Sequence, residues 1–195
     1  MGDFKFSGST TCYYKLASED PIIFFNNFKS SLMANWFLKY EDEEHLVFNE
    51  GVLSKLKMYS DLSSGQFVIE VAFDEVRALR DLFRFFELLM KNNLMLCRLM
   101  LEINVINKDF FLRIANRVRK LRVKGLIEDS EKNAFRCYVS FRQCNFNVAF
   151  YNDFAKIEII TDLKSHSDLI GLRHFIDFIS KKSIKRRLLD SLRIS

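Results

Sequence analysis

At 195 residues, with 49% hydrophobic residues and 21 Phe, the chain can bury a sizeable core, as one domain or as two small halves sharing one. One Pro and 6 Gly exclude long irregular linkers. The 30 Lys+Arg against 25 Asp+Glu, net +5, permit a polyanionic partner without the charge density of a disordered nucleic-acid tail. Cys12, Cys97, Cys137 and Cys144 form neither a C-x-x-C pair nor a zinc-type spacing with histidine. Free buried thiols in a reducing compartment are expected, with no metal and no cofactor. No apolar run is long enough to span a bilayer, and the N-terminus lacks the apolar core of a signal peptide. Phe6 stands where a myristoylation signal requires Ser or Thr. A soluble, intracellular protein without a membrane partner is expected.

Residues 10–16 alternate sides and predict a strand. Ser18, Glu19, Asp20 and Pro21 predict a helix start, with a capping hydroxyl, acids at the positive end and Pro in the first turn. Ile22, Phe25, Phe28, Leu32 and Trp36 follow at helical spacing, and the acidic stretch 41–44 ends that helix. Strands are predicted over 46–50, 53–59 and 66–73, with turns at Asn49-Glu50-Gly51 and over 61–65. Asp74 then caps a second helix, whose apolar stripe is Val76, Leu79, Phe83, Phe86 and Met90. The order restarts with a strand over 96–105 and a helix over about 108–122 carrying Phe111, Ile114, Val118 and Leu121. Strands over 134–142, 146–151 and 155–161 follow, then a helix beginning near Ser167 and Asp168.

Both halves therefore read strand, helix, three strands, helix. Their last helices share a pattern: Leu79-Arg80-Asp81-Leu82-Phe83-Arg84-Phe85 against Leu172-Arg173-His174-Phe175-Ile176-Asp177-Phe178. Together with Cys12 and Cys97 on the two first strands, this sets a period of about 90 residues, the mark of internal duplication. The expected class is α+β, with pseudo-twofold repeats over 1–93 and 94–181 in one compact domain and a basic helix or tail over 182–195.

Strand alternation says more. Phe135, Cys137, Val139 and Phe141 oppose Arg136, Tyr138, Ser140 and Arg142; Leu99, Leu101, Ile103 and Val105 oppose Arg98, Met100, Glu102 and Asn104. Phe67, Ile69, Val71 and Phe73 oppose Gln66, Val68, Glu70 and Ala72. This patterning predicts an antiparallel sheet with one face covered by helices and one open. The open face is expected to carry Lys15, Lys55, Lys57, Arg98, Arg136, Arg142 and Lys156 against Glu70, Glu102 and Glu158, which makes it the candidate binding surface.

A duplicated unit of this length and order resembles the TATA-box-binding protein (TBP) family. The local likeness lies in Leu62-Ser63-Ser64-Gly65-Gln66-Phe67-Val68-Ile69, similar to that family's Phe-Ser-Ser-Gly-Lys-Met-Val stretch. Phe150-Tyr151-Asn152-Asp153-Phe154-Ala155-Lys156-Ile157 sits in the matching place of the second half, with one residue inserted. The resemblance implies a saddle, a curved antiparallel sheet below helices, that grips the DNA minor groove and kinks it with apolar wedges. By position the wedges are Phe150 and Phe135 in the second half and Leu62 in the first, whose partner falls within His45–Phe48, with Phe48 among the candidates. The chain departs from the family in lacking an Asn near the sheet centre for reading base edges. Glu70 also stands where the family has a small Thr facing the groove, and a carboxylate there is repelled by phosphate and costs desolvation.

Arg113, Arg117, Lys120 and Lys124 recur at helical spacing and place a basic face on the third helix, either solvated or meeting a protein or phosphate backbone. Lys181, Lys182, Lys185, Arg186 and Arg187 beside Leu188, Leu189, Leu192 and Ile194 read as a basic amphipathic helix. It clamps a nucleic-acid backbone, docks on a partner, serves nuclear import, or simply packs. His45, His166 and His174 form no catalytic constellation; His174 and Asp177, a turn apart, have the spacing of a surface hydrogen bond. No P-loop, dinucleotide fingerprint or zinc-water signature is present, so no enzyme is expected. The first functional expectation is a nuclear, TBP-like factor in transcription initiation, binding and bending duplex DNA with strong salt dependence, with protein partners on its helical face. The alternative uses the same saddle to bind protein or structured RNA, as an accessory factor on a large cytoplasmic ribonucleoprotein such as the ribosome. A small-ligand fold is disfavoured by the charged sheet.

Overall fold

The computed structural model describes residues 4–15, 20–34, 37–41, 46–49, 55–61, 66–76, 79–91, 94–121, 123–130 and 133–180. In chain order the elements are β1 (Phe4–Lys15), α1 (Pro21–Met33), β2 (Phe37–Glu41), β3 (Leu46–Asn49), β4 (Lys55–Asp61), β5 (Gln66–Val76) and α2 (Leu79–Leu89). There follow β6 (Leu94–Val105), α3 (Lys108–Arg119), β7 (Val123–Asp129), β8 (Ala134–Phe141), β9 (Cys144–Tyr151), β10 (Lys156–Leu163) and α4 (His166–Ser180). The class is α+β. The strands form one antiparallel sheet in the order β2-β3-β4-β5-β1-β6-β10-β9-β8-β7. Residues 4–89 and 94–180 each run strand, helix, four strands, helix. The expected three strands per half therefore become four, with β2 and β7 as the additional, outermost members.

Local chemistry explains the helix ends. Asp20, not Ser18, caps α1: its carboxylate accepts from the Ile22 amide at 2.8 Å, with Pro21 next in line. The helix stops at Met33, before Trp36. Asn107 caps α3 by accepting from the Phe110 amide at 2.9 Å. Ser165 and Asp168 exchange the reciprocal bonds of a capping box at the start of α4, with Ser165 N donating to Asp168 Oδ2 at 2.9 Å and Asp168 N donating to Ser165 Oγ at 3.3 Å.

Alternation sorts the sheet as the sequence predicts. Cys12 and Tyr14 of β1, Ile69 and Phe73 of β5, Leu99 and Leu101 of β6, Ile157 and Ile159 of β10, and Phe146 and Phe150 of β9 are buried together under the helices. Helix faces close the core from above with Phe24, Phe28 and Leu32 of α1, Leu82, Phe85 and Phe86 of α2, Phe111, Ile114 and Val118 of α3, and Leu172, Phe175 and Ile176 of α4. Two polar ties fix helices to this core. Buried Tyr14 donates its hydroxyl to the Leu89 carbonyl at the end of α2. Arg117 donates to the Phe178 and Ile179 carbonyls, at 2.8 and 3.4 Å, and so satisfies the last turn of α4. No helix among the described residues is long and apolar enough to cross a membrane.

Candidate binding face of the sheet

The face away from the helices is assembled from the alternate residues of the same strands. At its centre β1 lies between β5 and β6, so that Thr11 pairs with Glu70 on one side and Arg98 on the other, and Ser9 pairs with Met100. Val68 and Ala149 are buried on this face and form its floor, while Met100, Tyr138 and Ile160 are each 37% exposed. The surface is thus a mixture of small polar, apolar and aromatic groups studded with charges.

Two of its cations are matched by carboxylates. Lys156 Nζ lies 3.1 Å from Glu102 Oε1 and 4.8 Å from the centre of the Tyr151 ring. Arg98 Nε lies 3.1 Å from Asp162 Oδ1. Each pair is partly or largely solvated and contributes at most about 1 kcal/mol to stability, but each also occupies a cation that phosphate would need. Glu158 stands directly opposite Glu102 on β10 and β6, a like-charge pairing that a sheet tolerates only with compensation such as Lys156 provides. By register Lys5, Lys15, Lys55, Lys57, Arg98, Lys124, Arg136 and Lys156 stand on this face against Asp61, Glu70, Glu102, Glu158 and Asp162, an excess of basic residues.

Several expected site residues lie elsewhere. Phe135 and Phe150 do not reach the open face. They are 1% and 0% exposed in the covered core, stacked ring on ring at 4.4 Å and 9°, with Phe111 against Phe150 at 6.0 Å. Their strand parity decides this: Phe135 shares its side of β8 with Cys137 and Val139, and Phe150 shares its side of β9 with Val148 and Phe146. Arg142 is not a strand residue but occupies the turn between β8 and β9 at φ 49°. Its Nη1 donates to His174 Nδ1 on α4 at 2.8 Å, toward the helical side; that bond, not one to Asp177, engages His174.

The basic face of α3 is also shorter than expected. Arg113 and Lys120 are exposed, Arg117 is spent on the end of α4, and Lys124 belongs to β7. Lys55 and Lys57 on β4 pair in register with Ala72 and Glu70. Leu62, Lys181, Lys182, Lys185, Arg186 and Arg187, and the side chain of Phe48, lie outside the described residues.

One exposed aromatic escaped the sequence reading. Phe154, 76% exposed, sits in the turn over 152–155 between β9 and β10. That turn is clamped to the neighbouring hairpin end: Asn152 N donates to the Asn133 carbonyl at 3.0 Å, Asn152 Nδ2 to Asn133 Oδ1 at 2.9 Å, and Asn133 Nδ2 to Asp153 Oδ1 at 2.7 Å. Beside it a cleft of about 330 Å³ is lined by Arg119, Glu128, Asp129, Asn133, Phe135 and Asn152. The Arg119 guanidinium there lies 4.1 Å from the Phe135 ring centre and 3.7 Å from Glu128.

Among the described residues no group of three or more His, Cys, Asp or Glu could hold a metal ion. Burial pushes the Cys137 thiol up to about 11 and also raises Cys144, which leaves both protonated and unreactive near neutrality. No protein-family model, curated protein or solved structure matches the chain.

Proposed function

We propose that the chain is a non-enzymatic, TBP-like binding factor that holds duplex DNA against its uncovered sheet and acts in transcription initiation, with protein partners on its helical side. The observation that carries this reading is the strand order, with β1 and β6 adjacent at the centre and the same succession of strands running outward to either edge. Register supports a duplicated origin. A shift of about 90 residues takes the pairs Lys57↔Glu70 and Asp61↔Gln66 onto Asn147↔Ile160 and Tyr151↔Lys156, and Thr11↔Glu70 onto Met100↔Ile160. Cys12 and Cys97 are then cross-strand partners and not repeat equivalents, since the same register sets Cys12 against the position of Leu101.

The shift also revises the wedge. Four residues separate the paired Asp61 and Gln66, and four separate Tyr151 and Lys156, so positions 152–155 correspond to 62–65 without an insertion, Asn152 takes the place of Leu62, and Phe154 is the aromatic offered at that end. Anisotropy titration of a labelled duplex at low salt should give saturable binding. Phe154→Ala should weaken it at least about fivefold and reduce bending, as expected for loss of one base-stacking aromatic. Because basic positions outnumber acidic ones on this face, binding should weaken strongly as salt rises. Absence of duplex binding at low salt overturns this reading.

A second reading is favoured by the opposed Glu102 and Glu158 and by the paired cations: the same face holds a protein or structured RNA within a ribonucleoprotein. Co-purification of ribosomal RNA and proteins, in place of polymerase or initiation factors, selects it.

A further inference from the structure

Independently of what the sheet binds, we propose that Cys12 and Cys97 are a site of reversible oxidation that closes a disulfide across the seam between β1 and β6. The two are direct cross-strand partners. Their sulfurs lie 2.8 Å apart, and both residues are fully buried. Directly opposed residues of antiparallel strands have Cα atoms about 4.5 or 5.5 Å apart, and both values fall within the span of about 4.4–6.8 Å that a disulfide accepts. Closing the sulfurs to a bond of about 2.05 Å needs a movement of less than about 1 Å and no change of register.

The surroundings divide the two thiols into unequal partners. Cys12 donates its S–H to Cys97 Sγ, and Thr10 Oγ1, which itself donates to the Arg98 carbonyl, lies 2.8 Å from the same sulfur. The bond from Cys12 favours the thiolate of Cys97, whereas burial holds the proton on Cys12. Cys97, which accepts the hydrogen bond from Cys12, serves here as the attacking sulfur, and attack by Cys12 closes the same disulfide. Cys137 and Cys144 have no such neighbour in register, facing Val148 and Phe141 across their strands.

Full burial selects a small oxidant, a hydroperoxide. The Cys97 thiolate attacks one peroxide oxygen and the O–O bond breaks. The leaving hydroxide takes a proton to become water, and Cys97 becomes a sulfenic acid. The Cys12 sulfur then attacks the Cys97 sulfur, the S–O bond breaks, and the departing hydroxide takes the Cys12 proton as a second water. Two thiols lose two protons and two electrons, and one hydrogen peroxide becomes two waters.

The test uses the full chain, fully reduced, treated with graded hydrogen peroxide, quenched, denatured and alkylated. The proposal predicts a mass loss of about 2 Da before alkylation and a fall in alkylatable thiols from the four present to two. It also predicts one cross-linked peptide joining β1 to β6, and full reversal by dithiothreitol. Cys97→Ser should abolish the mass loss and Cys137→Ser should leave it intact. The peptide map of the wild-type chain decides the matter even where Cys97→Ser fails to fold. A cross-link that includes Cys137 or Cys144, oxygen additions of about 16 Da without the loss of 2 Da, or four persisting thiols at all doses would overturn it.

Discussion

Replacing Phe150 with Ala is expected to lower the free energy of unfolding by about 3–5 kcal/mol, the usual cost of emptying a buried phenylalanine site, and to leave the affinity of each folded molecule for its ligand unchanged. The ring is completely enclosed, stacked on Phe135 and edge-on to Phe111. Removing it also unsupports Phe135, on which the Arg119 guanidinium rests. Relaxation is restricted, because β8, β9 and α3 all border the site and the strands are held in register. Denaturant unfolding measures the stability, and titration at a temperature where both proteins are folded measures affinity. A loss of binding with a stability change below about 1 kcal/mol would return Phe150 to the role of an exposed wedge and contradict its burial.

Gly171 carries the second large effect. It lies in α4 where the helix meets β9, and a Cβ built there would stand 2.0 Å from Cys144 Sγ and 3.0 Å from Cys144 Cβ. On an exposed helix, Gly→Ala stabilises by up to about 1 kcal/mol. Here the added methyl overlaps a strand residue, and overpacking of a core costs about 1–3 kcal/mol, more for a larger side chain. Gly171→Ala should therefore destabilise, and Gly171→Val more so. Cys144→Ala removes the sulfur that collides, so it should be better tolerated in the Gly171→Ala background than alone. The double-mutant cycle should show coupling above the roughly 0.5 kcal/mol expected of independent sites. Strict additivity would mean that α4 lifts away from β9 without resistance.

Much of this fold is visible in the residues because burial imposes a period. β6 and β8 alternate over most of their length, one face being packed and the other open, and the stripe of α2 repeats at helical spacing from Leu79, although Asp74 and Val76, expected as its cap and first apolar residue, belong to β5. The two missed strands lack that imprint. β7 is an edge strand with Leu126 and Ile127 both exposed, and its register shifts between Lys124 and Ile127 around Gly125 at φ +63°, so its apolar residues are adjacent and not alternate. β2 is five residues long and follows a helix whose C-cap, Ala34, is in an ordinary right-handed conformation. With no glycine or proline to stop it, the apolar series from Ile22 to Trp36 reads as one longer helix.

The candidate site was legible as a face but not as a set of roles. Strand parity alone puts Arg98, Arg136 and Lys156 on the open side, and it equally excludes Phe135 and Phe150. The correspondence of the two turns is obscured in the sequence because Ala155 occupies a positive-φ position, at 47°, where the first half offers Gly65. The pairing of Lys156 with Glu102 and of Arg98 with Asp162 joins residues 54 and 64 positions apart, beyond the reach of any local pattern.

The claim on which the rest turns is that the uncovered sheet is the surface that receives the ligand. Hydroxyl-radical footprinting with and without duplex DNA tests it directly, because reactive side chains report from both sides: Met100 and Tyr138 on the open face, Met33 and Ile22 on α1. Protection of Met100 and Tyr138, with Met33 and Ile22 unchanged, is the predicted result. Protection confined to α1, with Met100 and Tyr138 labelled as in the free protein, would contradict it.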